Sequence, residues 1–334
     1  MTARPAVYLD YNATSPMRPE ALSAMTAWLS RTGNPSSVHA AGRAARAAVE
    51  AARSEVAALV GGPASTVVFT SGGTEANALA IESAVATGSR RLILSAIEHD
   101  CVLETARATG AAVELAPVNP DGLVDLDWLA DRLRRLDPAD GRPFVAVMLA
   151  NNETGVVQPI HAISELVRAV DGWLHVDAVQ GAGRILCDSR ILGADTLAVS
   201  AHKLGGPQGV GALTFGPRAN LVRRQHGGGQ ERGRRAGTEN VAGIVGFGAA
   251  ARAALADGPR NGAWRDAAAE RLASAGAVIV GKDAPRLDNT LCVASPGHPA
   301  ELQVMDLDLA GVMVSAGSAC SSGKVGVSHV LTAM

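Results

Sequence analysis

The chain has 334 residues, 47% of them hydrophobic, and a formal net charge of −2 with both signs interspersed, which gives length for two or three domain-sized units and a substantial core. No basic stripe marks a direct nucleic-acid partner. The longest uncharged stretch, residues 56–74, is broken by Gly61-Gly62-Pro63, which argues against a membrane segment, and the first ten residues lack the apolar core of a signal peptide, so a cytoplasmic protein is expected.

In chain order, residues 39–60 predict an amphipathic helix with Val49, Ala52, Val56 and Leu59 on one face and Gly61-Gly62 as the stop. A short β-branched run from Thr66 to Thr70 enters Ser71-Gly-Gly-Thr-Glu-Ala-Asn77 and a second helical stretch, giving strand, glycine turn and helix. Apolar runs at 91–96, 113–118, 144–150, 173–177 and 196–200 alternate with helical patterns at 126–136 and 160–170. That alternation predicts an α/β unit with a mostly parallel sheet. One more strand is expected at 210–215, before the glycine-rich segment 227–237. Beyond Asn240, helical patterns at 241–255 and 263–273 and strand-like runs at 277–281 and 289–294 predict a smaller α+β unit. The four cysteines, Cys101, Cys187, Cys292 and Cys320, are widely spaced with no C-x-x-C pair, which disfavours a disulfide framework or a closed zinc site.

Among 30 basic residues only three are lysines, Lys203, Lys282 and Lys324. Lys203 ends the run Thr196-Leu-Ala-Val-Ser-Ala-His-Lys203, where an apolar strand gives way to small polar residues. Arginine stays charged, whereas a lysine amine can lose its proton and form an imine, so a chain that otherwise prefers arginine keeps this lysine for its nitrogen. Other predicted strands also run into polar groups at their carboxyl ends, where open α/β sheets place ligands. Ser71-Gly-Gly-Thr74 before a helix can aim N–H groups and a hydroxyl at a phosphate. Glu98-His99, Asn151-Asn-Glu-Thr-Gly155 and His175-Val-Asp177-Ala-Val-Gln180 follow three further strands. Pyridoxal phosphate needs such a set: a lysine for its aldehyde, an anion cradle, a carboxylate for the pyridine nitrogen and a flat group over the ring. Asp177 suits the nitrogen, His99 the ring face and Gln180 the phenolic oxygen.

These segments, with Tyr8-Leu-Asp-Tyr-Asn-Ala-Thr14, Gly33-Asn-Pro-Ser-Ser37, Glu231-Arg-Gly-Arg-Arg-Ala-Gly-Thr-Glu-Asn240 and Gly317-Ser-Ala-Cys-Ser-Ser-Gly323, resemble in order the motif series of the cysteine desulfurases of the NifS/IscS type, within the class V aminotransferase-like enzymes. The resemblance implies the fold type I architecture of pyridoxal phosphate enzymes: a large α/β domain over residues 13–242 and a small α+β domain from residues 1–12 and 243–334. It implies a homodimer that converts L-cysteine to L-alanine and carries the sulfur as a persulfide on Cys320 to an iron–sulfur scaffold or another acceptor protein. Lys203 would hold the cofactor, with Gly73, Thr74, Ser200 and His202 around its phosphate and Thr238 reaching that phosphate from the partner subunit. His99 would stack on the ring and move protons, Asp177 would pair with the pyridine nitrogen, Gln180 would bond the phenolic oxygen, and Asn152 would lie near cofactor and substrate carboxylate. Cys320, in a run of small residues, would be a mobile nucleophile and a candidate transient iron–sulfur ligand. Family members continue into a segment with a carboxylate-gripping arginine; no arginine follows Arg286 here, so the small domain is expected to be C-terminally truncated. A selenocysteine lyase, another class V lyase and a cofactor-binding scaffold without turnover are the competing readings.

Overall fold

The computed structural model describes residues 6–257, 262–317 and 327–334. Strand β1 (Val7–Tyr8) and helix α1 (Pro19–Leu29) precede α2 (Ala40–Val60), whose first turn is capped by the His39 ring, which accepts from the Gly42 N–H. The α2 face with Val49, Ala52, Val56 and Leu59 is buried as the periodicity predicts. Then β2 (Val67–Thr70), α3 (Gly73–Ala86), β3 (Arg91–Ser95), α4 (Asp100–Ala108), β4 (Ala112–Ala116) and α5 (Leu126–Arg134) alternate. The alternation continues with β5 (Phe144–Ala146), α6 (Ile160–Ala169), β6 (Trp173–Asp177), the short α7 (Ser189–Leu192), β7 (Thr196–Ser200) and β8 (Gly211–Phe215).

These strands form one seven-stranded sheet in the order β2-β8-β7-β6-β5-β3-β4. From β4 to β7 all neighbours are parallel; β8 alone runs antiparallel, between β7 and β2. Register puts Thr70 and Ser200 on either side of Gly211, so the carboxyl ends of β2 and β7 meet at one edge. Most of these strands are buried throughout, as expected where helices cover both faces of a parallel sheet. The expected 144–150 strand is shorter as a ladder. Past Ala146 the Met148 N–H, instead of pairing with β3, donates to Glu98 Oε1 at 2.7 Å, while the Val147 and Leu149 N–H groups still donate to the His175 and Asp177 carbonyls of β6.

Helix α8 (Val241–Ala256), expected at the start of the smaller unit, buries Ile244, Phe247, Ala250, Ala251 and Ala254 in the core shared with the large sheet. After it come α9 (Ala263–Ser274), β9 (Val278–Ile279), β10 (Val293–Ala294), α10 (Ala300–Leu309), β11 (Val312–Met313) and α11 (His329–Ala333). Strands β9 and β10 pair antiparallel, and β1 pairs parallel with β11, tying the N-terminal segment to the C-terminal one. From β1 the chain returns along the carboxyl edge of the large sheet, which carries Asn12 to Ser15 past Lys203.

Candidate active site

A cavity opens at the carboxyl edge of the sheet, bordered by Asn12, Gly73, Thr74, Asn77, His99, Asp177, Gln180 and Lys203 among others. Lys203 ends a 3₁₀ turn that continues β7, and only 6% of its surface is exposed, so it is not an ordinary solvated lysine. Its Nζ donates to the Asn12 carbonyl and, at 3.0 Å, to the Ala13 carbonyl.

Asp177, the last residue of β6, is buried. Its Oδ1 accepts from the Val179 N–H at 2.9 Å and its Oδ2 from Asn77 Nδ2 at 2.7 Å. Desolvation still dominates and holds the carboxyl above its usual range, with these hydrogen bonds and the nearby His99 and Lys203 opposing. A buried carboxylate of this kind gains from a cation placed against it. His99 caps α4: its Nδ1 accepts from the Cys101 N–H at 3.1 Å, which leaves Nε2 as the ring's other functional atom. Gln180 is also buried, and its amide is oriented by Arg184, which donates to Oε1 at 2.7 Å, while Nε2 donates to the Asn12 carbonyl at 2.9 Å.

An adjoining hollow is lined by Thr14, Ser71, Gly72, Gly73, Thr74, Ser200 and His202. It faces the first turn of α3, where helix N–H groups without intrahelical partners and the positive dipole end favour an anion. His202, with Nδ1 3.2 Å from Thr14 Oγ1, is pushed down to about 4 by desolvation and by Lys203, so it is neutral at pH 7 and acts through hydrogen bonds.

The structure therefore brings Lys203, Asp177, Gln180, His99, Asn152, Gly73, Thr74, Ser200 and His202 to one cavity and its extension. Thr238 is exposed and does not line this chain's own cavity. Cys320 lies outside the described residues. Three participants were missed. Asn12 supplies a carbonyl to both Lys203 and Gln180; it sits in the Tyr8 to Thr14 motif, where its type alone gave no role. Asn77 and Arg184 each carried a signal in their spacing, three residues after Thr74 on α3 and four after Gln180. The residues present fit pyridoxal phosphate: a buried amine, an anion cradle at a helix start and a desolvated carboxylate lie around a single cavity.

The aminotransferase class-V family model matches residues 7–333. A cysteine desulfurase from Cereibacter sphaeroides is 42% identical over 341 residues, covering 98% of this chain and 86% of that protein. Cysteine desulfurase IscS from Dictyoglomus turgidum is 39% identical over 348 residues, covering 98% and 85%. Among solved structures, a NifS-like protein from Rickettsia africae superposes with a TM-score of 0.90 at 32% identity, covering 98% of this chain and 89% of that one.

Proposed function

Because the chain belongs to the class-V aminotransferases and, within them, to the cysteine desulfurases, we propose that it converts L-cysteine to L-alanine and leaves the sulfur as a persulfide on Cys320. The observation that carries this reading is the pairing, in one cavity, of a buried lysine with a buried carboxylate that two hydrogen bonds leave under-compensated. The enzyme is pyridoxal phosphate-dependent, and the bound cofactor supplies an electron sink for the bonds broken at the substrate's α-carbon and β-carbon.

Lys203 would hold the aldehyde carbon, leaving the Asn12 and Ala13 carbonyls to do so. Asp177 would keep the pyridine nitrogen protonated, and Gln180, its oxygen occupied by Arg184 and one N–H by the Asn12 carbonyl, would offer its other N–H to the phenolic oxygen. Gly73, Thr74, Ser200 and His202 would hold the phosphate, with Thr238 of a second subunit completing it. His99 would stack on the ring and move protons; with Nδ1 accepting from the Cys101 N–H, the neutral ring carries its proton on Nε2, which faces the reaction as a donor. Asn152 would orient the substrate carboxylate. The Cys320 thiolate attacks the substrate sulfur: an S–S bond forms, the bond from β-carbon to sulfur breaks, and the carbon keeps the electron pair and takes up a proton. L-Cysteine and enzyme thiol thus become L-alanine and enzyme persulfide. The reading includes a cytoplasmic homodimer and delivery to an iron–sulfur scaffold or another acceptor protein. The likeness to cysteine desulfurases over 98% of the chain supports turnover over a cofactor-binding scaffold.

The test is alanine release from L-cysteine by the purified chain loaded with pyridoxal phosphate, beside Cys320→Ala and Lys203→Ala. Alanine from the parent protein and its loss in both variants is expected. Alanine formation untouched by Cys320→Ala would remove the persulfide step, and turnover of selenocysteine alone would assign the lyase reading instead.

A further inference from the structure

Three buried side chains behind Asp177, Trp173, Thr196 and His175, have no role in the chemistry above. Trp173 Nε1 lies 3.0 Å from Thr196 Oγ1, which lies 3.0 Å from His175 Nδ1. His175 Nε2 lies 2.9 Å from Asn77 Oδ1, and Asn77 Nδ2 donates to Asp177 Oδ2 at 2.7 Å and to Cys101 Sγ at 3.3 Å. Strand register creates the first half, since His175 of β6 pairs with Thr196 of β7 and Trp173 stands two residues earlier on the same face. Helix α3 brings Asn77 over them from above the glycine turn.

The direction of every bond follows from the two ends. The indole of Trp173 can only donate, so Thr196 Oγ1 accepts there and its own proton is directed at His175 Nδ1. A carboxylate can only accept, so Asn77 turns its amide N–H groups to Asp177 and its oxygen to His175. The ring between them therefore carries its proton on Nε2 and accepts at Nδ1. Burial keeps the ring neutral, its pKa depressed to about 3 by desolvation, which outweighs an opposing contact with the Thr196 backbone. One donor meets one acceptor at each step, and flipping any member leaves like groups facing in a buried site.

We propose that Trp173, Thr196 and His175 form a one-directional hydrogen-bond chain that locks the Asn77 amide in the orientation holding Asp177 as an aligned carboxylate, making Thr196 and His175 positioning residues for the cofactor's ring nitrogen. This rests on the assignment of Asp177 to that nitrogen. Cys101, which takes the second N–H of Asn77, completes the lock and so has a use besides packing.

Two measurements on the full chain test it. In protein labelled with ¹⁵N-histidine, His175 should read as the neutral Nε2–H tautomer at neutral pH. In fluorescence titrations of cofactor-stripped protein with pyridoxal phosphate, Thr196→Val should raise Kd roughly tenfold, the scale of one hydrogen bond to a charged group. Thr196→Ser, which retains the hydroxyl, should restore binding to within about threefold of the parent. An Nδ1–H tautomer or an imidazolium at His175 would overturn the chain, as would parental affinity in Thr196→Val. If Thr196→Val does not fold, the tautomer in the unaltered protein and the Thr196→Ser affinity decide. Asp177→Ala separates the premise from the proposal: unchanged cofactor affinity there removes the assignment of Asp177, whereas weakened affinity there beside parental affinity in Thr196→Val removes only the chain.

Discussion

Glu98 and His99 are neighbours in sequence that do opposite work. The sequence offers both as polar groups at the end of a strand, and nothing in their types tells which one faces the cavity. His99 does, while Glu98 is wholly buried with Oε1 accepting from Ser95 Oγ at 2.8 Å and from the Met148 N–H at 2.7 Å. Its Oε2 has no hydrogen-bond partner among the described residues. Desolvation, with the nearby Asp177 adding to it, pushes the carboxyl up to about 8, so the folded protein keeps a proton at neutral pH that the unfolded chain has released. The sign follows: this stability is fully present below the unfolded pKa of about 4.3 and is lost as pH rises toward the folded value, at up to roughly 1.4 kcal/mol per pH unit. Glu98→Gln keeps the acceptor for Ser95 and Met148 but has no proton to lose. Its unfolding free energy, measured in urea between about pH 5 and 8, should fall less steeply than the parent's. Parallel pH profiles for the two proteins would show that Glu98 is ionised in the fold.

Among the elements, the glycine turn before α3 depends on a glycine that is not part of it. Gly72 has open space where a Cβ would go, and its φ of 164° is extended backbone that any residue adopts. Gly211, at the start of β8, is different: a Cβ there would stand 2.5 Å from the Gly72 carbonyl carbon and 2.8 Å from its Cα. Strand β8 is thus the floor on which the phosphate turn rests. Gly211→Ala should lower stability by roughly 1–3 kcal/mol, the usual cost of overpacking against backbone, and weaken pyridoxal phosphate binding as the turn is displaced. Gly229→Ala, at a position with nothing within 4 Å, is the control and should do neither. Thermal unfolding and cofactor titration read both effects, and a Gly211→Ala protein with parental affinity would free the turn from β8. Legibility followed the same physics. Pattern located the seven strands of the large sheet and helices α2, α5, α6, α8 and α9 to within a few residues, the buried stripe of α2 being the plainest case, but it did not locate α1, α4, α7, α10 or α11. It overextended the 144–150 strand because pairing with β3 gives way at Met148 to the Glu98 side chain, a contact 50 residues distant in sequence, although bonding to β6 runs on to Leu149. It set α8 with the smaller unit because a helix made mostly of alanine and glycine does not say which core it joins.

At the scale of the whole molecule, the segment after β8 is held outward rather than inward. Glu231 and Arg232 adopt left-handed backbone, with φ of 47° and 57°, which places the Glu231 carboxylate in the interior. There it accepts from Arg53 at 2.6 and 2.9 Å and from the Phe69 N–H at 2.9 Å. Arg235 pairs with Glu75 on α3 at 2.8 Å. These anchors fix the stretch running up to Thr238 while leaving Thr238 itself exposed and away from this chain's cavity. A phosphate contact from Thr238 then requires a second copy of the chain, so we propose that each site is completed across a two-fold dimer. Subunit mixing tests this directly. Lys203→Ala lacks the cofactor amine but keeps Thr238, and Thr238→Ala has the reverse defect. If sites are shared, a mixed dimer contains one site with both defects and one with neither. Equal amounts of the two variants, unfolded and refolded together, should therefore recover parental cofactor affinity in about a quarter of all sites, because half the dimers are mixed and each has one intact site. Either variant refolded alone should recover none. Recovery absent from a mixture that sediments as a dimer would place Thr238 outside the site, and sedimentation as a monomer with full cofactor affinity would end the shared-site proposal altogether.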